Sequence, residues 1–387
     1  MTIIIGAGPA GLGAALGCKS PALILERNSF AGKKLLLSGS GQCNVTNAAT
    51  REAFLARMGE FKNFLKPAFY QFSNRDLMRL LEDAGCPLFT REDGKVFPQS
   101  LRSADVRDTL LKLVINKGHH VQYHSRIVKV EKADHGFTLY DSNGIEYSTA
   151  KLILAAGGAA YPQTGSDGSG YDLAKQLGHS ILDPKPALAA VKIRSFGSFR
   201  ECAGITLPRT SLKLGKQMMQ GDLLITHQGF SGPLILDNSY RMQPSARIGV
   251  VFDAAGRFVD LVKQHPRKQL SSILQLLDIP HRLSEAILQH CGVSNCPAAE
   301  LCAKDRNLLA GWLKHAEFEI QSLNGLDLAM SDYGGVDIHE VKASSMESKL
   351  IPGLYLAGES LAYSLPSGGF SLQMAMATGY LAGIKSE

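Results

Sequence analysis

The opening of the chain, Thr2 to Gly17 (TIIIGAGPAGLGAALG), restricts its fold more than any other stretch. A short apolar run enters a glycine turn and leaves it as an Ala-rich helix, and PALILE follows as a second strand ending on Glu26. This is a βαβ start with Gly6, Gly8 and Gly11 in G-x-G-x-x-G spacing. Gly6 permits the tight turn, Gly8 lets backbone approach a pyrophosphate, and Gly11 lets helix and sheet pack closely. The helix N-terminus then offers free N–H groups to phosphate. Glu26, 20 residues after Gly6, suits a two-point grip on a ribose diol. Ala10 inside the turn and Arg27 beside the acid complete the expected nucleotide contacts. The helix and its turn are a few residues shorter than usual.

The rest of the chain divides by texture. NRDLMRLLEDAG and SADVRDTLLKLVINKG have helical spacing and end in glycine. From His119 the pattern alternates as strands do, with a hairpin turn at DSNG, Asp141 to Gly144. KLILAAGG is an apolar strand running into Ala156, Gly157 and Gly158, which suits close backbone approach to a nucleotide. From about Pro184 the stretches ALAAVKIRSF, TSLKLG, GDLLITHQG and ARIGVVFD predict a β-rich region. A more polar helical section runs over 256–315, and EFEIQ returns as a strand. IPGLYLAGE and SGGFSLQMAMATGYLAG close the chain as a strand, a glycine turn and a helix of small residues. The expected arrangement is α/β: a discontinuous Rossmann-like domain from 1–183 and 330–387, an inserted β-rich substrate domain from 184–255 and 316–329, and a small helical domain over 256–315.

No apolar run reaches the roughly 20 residues of a membrane span. No charged leader precedes an apolar core, so no secretory signal is visible. Seven cysteines, an odd number, suggest reduced thiols and a cytoplasmic setting. Cys291, Cys296 and Cys302 fit no common zinc spacing, and no metal is expected. Between Pro184 and Ile320 stand 17 Lys/Arg against 11 Asp/Glu, so the formal +6 of the chain sits in its middle. This is either a solvated, mildly basic surface or a face for a polyanion such as RNA, carried by Arg194, Arg200 and Lys213. THQGFSGP reads either as a turn into a Pro-initiated helix or as a motif presenting His227 and Ser231 to a reactive centre. His119, His120 and His339 read as ordinary surface or strand residues.

In order along the chain, GKKLLLSGSGQCNVTN, VFPQSLRSADV, AAGGAAYPQTGSDGSGYDLAKQLGH, GDLLITHQGFSGP and SMESKLIPGLYLAGESLAYSLPSGGFSLQMAMATGYLAG span nearly its whole length. The pattern resembles the glutathione-reductase structural class of flavoproteins. Within that class it resembles the BaiN/YhiN-like family, also labelled aminoacetone-oxidase-type FAD-binding enzymes. The resemblance implies FAD as cofactor. The loop containing Lys34, Ser38, Gly39 and Asn44 would lie against it, with the three side chains donating to phosphate or hydroxyl oxygens. Gly358 and Glu359 would sit at the ribityl and pyrophosphate end. The N–H groups of Gly369, Phe370 and Ser371 would face the pyrimidine edge, and Val128 would lie near the adenine. Cys43 would either pack beside the flavin or give a proton during a reduction. Two departures stand out. Gln42 replaces an arginine usual in the family, and SLAYSLPSGGF has Ala362 and Ser364 where relatives carry an acidic residue and a glycine.

Only one glycine fingerprint is present, and no CxxC pair accompanies it, so a built-in nicotinamide domain and disulfide chemistry are both unexpected. Three functions remain open. NAD(P)H reduces the flavin transiently and a C=C bond is then saturated, with uridine of ribosomal RNA as one substrate. A small amine is oxidised with O2 as acceptor. Or the flavoprotein is a non-catalytic RNA-binding module.

Overall fold

The computed structural model describes residues 1–387, which separate into two units: Met1–Ala187 with Leu326–Glu387, and Leu188–Gly325.

The first unit is built on a five-stranded parallel sheet. Its order is Leu354–Leu356, Lys151–Leu154, Thr2–Ile5, Ala22–Leu25 and His120–Gln122. The short strands are apolar runs rather than alternations, as a sheet covered on both faces requires, and Ile4, Ile24, Ile153 and Leu354 are fully buried in it. A three-stranded antiparallel meander (Ile127–Ala133, Gly136–Asp141, Glu146–Thr149) adds Phe137 and Leu139 to the same core. The DSNG turn closes that meander, with Asp141 Oδ1 accepting from the N–H groups of Asn143 (2.8 Å) and Ile145 (2.9 Å). Two antiparallel strands, Ile181–Ala187 and Ser331–Val336, flank the points where the chain leaves and re-enters the unit.

The ends of the chain meet in this unit. The N-terminal helix (Pro9–Gly17) and the C-terminal helix (Phe370–Lys385) approach backbone to backbone. A Cβ at Gly379 would stand 1.9 Å from the Ala10 carbonyl oxygen, and one at Gly383 would stand 2.0 Å from that of Ala14. From the other side, a Cβ at Gly13 would lie 2.5 Å from Met376 O and one at Gly17 would lie 2.2 Å from Tyr380 O. No real Cβ fits at such distances, so four glycines set the spacing of the two helices.

The second unit is a closed six-stranded barrel. Its order is Val191–Ile193, Gly229–Ser231, Gln217–Ile225, Thr206–Leu214, Arg247–Val251 and Ala316–Leu323, and the last strand pairs back to the first. Phe230 packs edge-to-face on Phe196 (5.2 Å) and Phe318 (5.0 Å) in its core. The helices Phe258–Gln264, Leu270–Gln275, His281–Cys291 and Ala303–Lys314 share that core. No helix of either unit is long and apolar enough to cross a membrane.

Gly379→Ala forces two backbones apart and should destabilise the protein by about 3 kcal/mol, read as a lowered thermal midpoint. Gly311, inside a helix with nothing within 4 Å of its added Cβ, is the control. Gly311→Ala should gain about 0.5–1 kcal/mol. Equal midpoints for the two variants would disprove the close-packing account.

Candidate cofactor and active site

The glycines of the N-terminal turn have distinct environments. A Cβ on Gly6 (φ +101°) would lie 2.5 Å from Ala155 O, and one on Gly11 would lie 1.8 Å from Gly6 O. Both are therefore required by packing. Gly8 differs, because its added Cβ would meet nothing within 4 Å. The space above it is open, and the first-turn N–H groups of the helix behind it have no intrahelical acceptors. An open cradle of orphan donors at a positive helix end fits a pyrophosphate.

Glu26 closes one end of the cradle. It is 6% exposed. Oε2 accepts from Ala7 N–H (2.8 Å), and Oε1 accepts from the N–H (2.8 Å) and side-chain amide (2.7 Å) of Asn28. The carboxylate is thus clamped in one orientation, as a residue that holds a ribose diol must be. Arg27 turns elsewhere. Its guanidinium pairs with Asp167 (2.7 Å) and donates to Gly165 O and Ser169 Oγ, so it fastens the loop after the Ala156–Gly158 turn. Val128 lies on the meander with its side chain 46% exposed, and its carbonyl accepts from Gln176.

The glycine- and serine-rich loop forms 3₁₀ turns over Leu35–Gly41, with left-handed backbone at Gly39, Ser40 and Cys43. Its polar side chains bond mainly to the protein. The Ser38 hydroxyl donates to Leu35 O (2.7 Å). The Asn44 amide donates to Thr46 O, and its oxygen accepts from Gly369 N–H (3.0 Å). Lys34 pairs with Glu359 (2.6 Å). The donor roles expected of Ser38, Asn44 and Gly369 toward a ligand are therefore filled internally. The first-turn N–H groups of Phe370 and Ser371 have no acceptor within the C-terminal helix. The Phe370 ring itself packs on Phe54 (4.6 Å) in the core. Gly369 (φ +96°) is fixed by the approach of Thr46, whose carbonyl oxygen would lie 2.4 Å from its Cβ.

Gln42 accepts from Arg91 (2.7 Å), whose guanidinium lies 3.9 Å from the Phe97 ring centroid. A cation thus stands beside the position where the resembling family carries an arginine. Cys43 has no exposed surface, and burial pushes its thiol up to about 12. Of its two readings, that geometry supports a packed side chain.

Sequence reasoning missed a buried polar network. Glu359 accepts from Lys34 and, at Oε1, from Ser331 Oγ (3.0 Å). Tyr171 Oη lies 2.6 Å from Asp332 Oδ2 and 3.1 Å from Glu359 O. Asp332 is 3% exposed and its other oxygen has no partner, as is also true of Tyr363 Oη. Burial, and then the Glu359 charge, raise the Asp332 carboxyl above the usual carboxylate range. Gly158 lacks a side chain because Asp332 Oδ1 occupies that space, 2.1 Å from where a Cβ would stand. Gly358 (φ +66°) abuts Ala10 in the same way, at 2.6 Å. The network therefore fixes both the AAGG turn and Glu359.

His227 and Ser231 belong to the second unit. His227 is exposed on the turn Thr226–Gln228, which Thr226 Oγ1 closes by accepting from Gln228 and Gly229. Ser231 ends a strand, and Pro233 opens the short helix that follows. Arg194 is ion-paired with Glu319 (2.8 Å), whereas Arg200 and Lys213 are exposed. The seven cysteines are free, and no cluster of three His, Cys, Asp or Glu could hold a metal.

Two expectations follow. Gly8→Val fills the only open position of the fingerprint, so the variant should fold with a wild-type circular dichroism spectrum yet purify colourless; a yellow variant would refute the cradle. Asp332→Asn removes a carboxyl whose ionised form is penalised by folding. The penalty grows as pH rises from the ordinary carboxylate value to the raised one and is constant above it. The variant's thermal midpoint should therefore exceed wild type by more at pH 8 than at pH 4, and a gain that shrinks with rising pH would contradict the assignment.

Comparison with known proteins agrees with this geometry. The family description "HI0933-like protein Rossmann domain" matches residues 1–385. A 3-dehydro-bile acid delta(4,6)-reductase of Clostridium scindens is 30% identical, over 98% of this chain and 97% of its own. A ribosomal RNA dihydrouridine synthase of Escherichia coli is 27% identical, over 98% and 96% respectively. Among solved structures, an E. coli quinol fumarate reductase covers the whole chain with 69% of its own length (TM-score 0.53, 14% identity). The 3-ketosteroid delta1-dehydrogenase of Sterolibacterium denitrificans covers 99% with 98% of its own (TM-score 0.50, 11% identity), and these two likenesses show the fold. The chain belongs to the HI0933-like family of FAD-dependent oxidoreductases.

Proposed function

We propose that the protein is an NAD(P)H-driven reductase of a C=C bond conjugated to a carbonyl, with uridine of ribosomal RNA as substrate. The observation that carries this reading is the N-terminal end of the C-terminal helix. There the Phe370 and Ser371 N–H groups have no acceptor within the helix, and Asn44 and Thr46 hold the Gly369 turn in place. A fixed positive helix end favours negative charge beside it, as hydride acceptance demands. The bound FAD supplies the hydride relay between donor and substrate. Around it the chain holds geometry: Ala7 and Asn28 fix the Glu26 carboxylate that would hold the ribose, and Lys34 and Ser331 fix Glu359.

Two further features support a reductase that works without thiol chemistry. Cys43 is buried with its thiol far from ionisation at neutral pH, and none of the cysteines is in a disulfide. Free thiols also suit the reducing cytoplasm. The names of the bacterial relatives describe hydrogen addition to a ring C=C in a bile acid and in ribosomal RNA. Exposed Arg200 and Lys213 would meet RNA phosphate, while Arg194 contributes less because Glu319 neutralises it. His227, exposed and without an ion-pair partner, is the proposed proton donor to the substrate, with Ser231 beside it in the motif.

The test is anaerobic. Mixing the yellow protein with NADPH or NADH should bleach the flavin's visible band, and later incubation with ribosomal RNA should add two hydrogens to uridine by mass spectrometry. His227→Ala should leave bleaching unchanged and slow the RNA step by about 10²-fold. Absence of bleaching with both nucleotides, while small amines drive O2 consumption, would overturn the reading.

A further inference from the structure

The first unit contains a cavity of about 300 Å³ that neither the fingerprint nor the glycine loop accounts for. Its walls come from three helices. Arg51 opens the helix Arg51–Arg57, Tyr70 lies near the end of Lys62–Gln71, and Arg75 and Arg79 share one face of Asn74–Asp83 at i, i+4 spacing. None of the three arginines is paired with a carboxylate. Arg75 donates only to Ala48 O (3.2 Å). The single acid in the wall, Asp76, is turned to Ser73, whose N–H (2.8 Å) and O–H (2.6 Å) both donate to its Oδ2. Three guanidinium groups around one cavity repel each other until an anion enters, and their planar forks match a phosphate monoester.

The cavity also offers a flat aromatic surface. Tyr70 is 51% exposed, with Arg51 5.4 Å and Lys66 5.3 Å from its ring centroid. A tyrosine ring flanked by a guanidinium is a stacking platform for a base. Phosphate recognition and base stacking in one cavity describe a nucleotide. The wall is tied to the turn before the C-terminal helix: Asn74 Nδ2 donates to Asn47 O (2.6 Å), and Asn47 Nδ2 donates to Gly368 O (3.2 Å), next to Gly369.

We propose that this cavity holds the adenosine 2′-phosphate end of NADPH, with Arg51, Arg75 and Arg79 on the phosphate and Tyr70 under the adenine. The inference rests on the reading of a nicotinamide nucleotide as electron donor and makes that donor NADPH. It also follows from the fingerprint count. The one G-x-G-x-x-G turn serves FAD, so the donor's adenine end needs a separate site.

The test uses the FAD-loaded protein and calorimetric titration with 2′,5′-ADP and with 5′-AMP. Wild type should bind 2′,5′-ADP at least about tenfold more tightly than 5′-AMP. Arg75→Gln with Arg79→Gln should remove that preference. Tyr70→Ala should weaken both ligands alike. Arg51→Gln, which breaks no hydrogen bond, should reduce the preference even if the double variant folds poorly. Equal binding of the two probes would overturn the proposal, and so would a preference unchanged in the variants. Inorganic phosphate competing as strongly as 2′,5′-ADP would reduce the site to a bare phosphate site, and displacement by a short RNA alone would make it a polyanion site; either result overturns it. The two readings fail separately. If NADPH bleaches the flavin with the same concentration dependence in the Arg75/Arg79 variant, the cavity assignment falls and the reductase stands. If 2′,5′-ADP binds as predicted and neither nucleotide bleaches the flavin, the reductase falls and the nucleotide site stands.

Discussion

The contact between the first and last helices sets the geometry of the cofactor unit. Gly13, Gly17, Gly379 and Gly383 let the two backbones touch, so the helix ends are positioned by hard contact rather than by adaptable side chains. The same contact sets Gly358 against Ala10, bringing the end of the last sheet strand beside the fingerprint turn. Dispersion across such a tight seam is strong and leaves little room to shift. Two positive helix ends are thereby held at fixed places in one unit, each with N–H groups that have no acceptor within their helix.

Around that seam, polar side chains do structural work that their positions would suggest belongs to ligand binding. Asn44 caps Gly369, Ser38 closes its own turn, Arg27 fastens a loop and Gln42 anchors Arg91. What the fold leaves open at the fingerprint are backbone donors and the clamped Glu26 carboxylate. Backbone N–H groups cannot rotate away, so their alignment is achieved during folding rather than during binding. The buried Asp332–Tyr171 contact works in the same sense. It holds the AAGG turn against Glu359 at the cost of a desolvated carboxyl.

Much of this was legible in the chain because some constraints are local. Strand, glycine turn and helix follow from adjacent residues, and Gly6, Gly8, Gly11 and Glu26 could be given roles before any coordinates. The insertion of a β-rich segment was likewise visible from alternation. The polar network was not, because Lys34 and Glu359 lie 325 positions apart and Tyr171 and Asp332 lie 161 apart, and no periodicity links them. Barrel closure was hidden for the same reason, since it depends on Val191–Ile193 finding Ala316–Leu323. The sequence shows that Ser38 and Asn44 can donate but not which acceptor lies nearest. The cavity arginines went unremarked, since Arg51, Arg75 and Arg79 fall in ordinary amphipathic helices.

The seam between the chain's two ends also has a consequence in time. On a ribosome the fingerprint strand and helix emerge long before residues 370–385, which encode the surface they pack against. The barrel unit of 188–325 contains all its own strand partners and can close while translation continues. The parallel sheet cannot, because its edge strand Leu354–Leu356 and its covering helix are encoded after the barrel. Until then Ile3, Ile4, Leu12 and Leu16 remain apolar surface on an unfinished domain, a natural target for holding chaperones. The cradle at the fingerprint turn is therefore complete only once synthesis has passed residue 385.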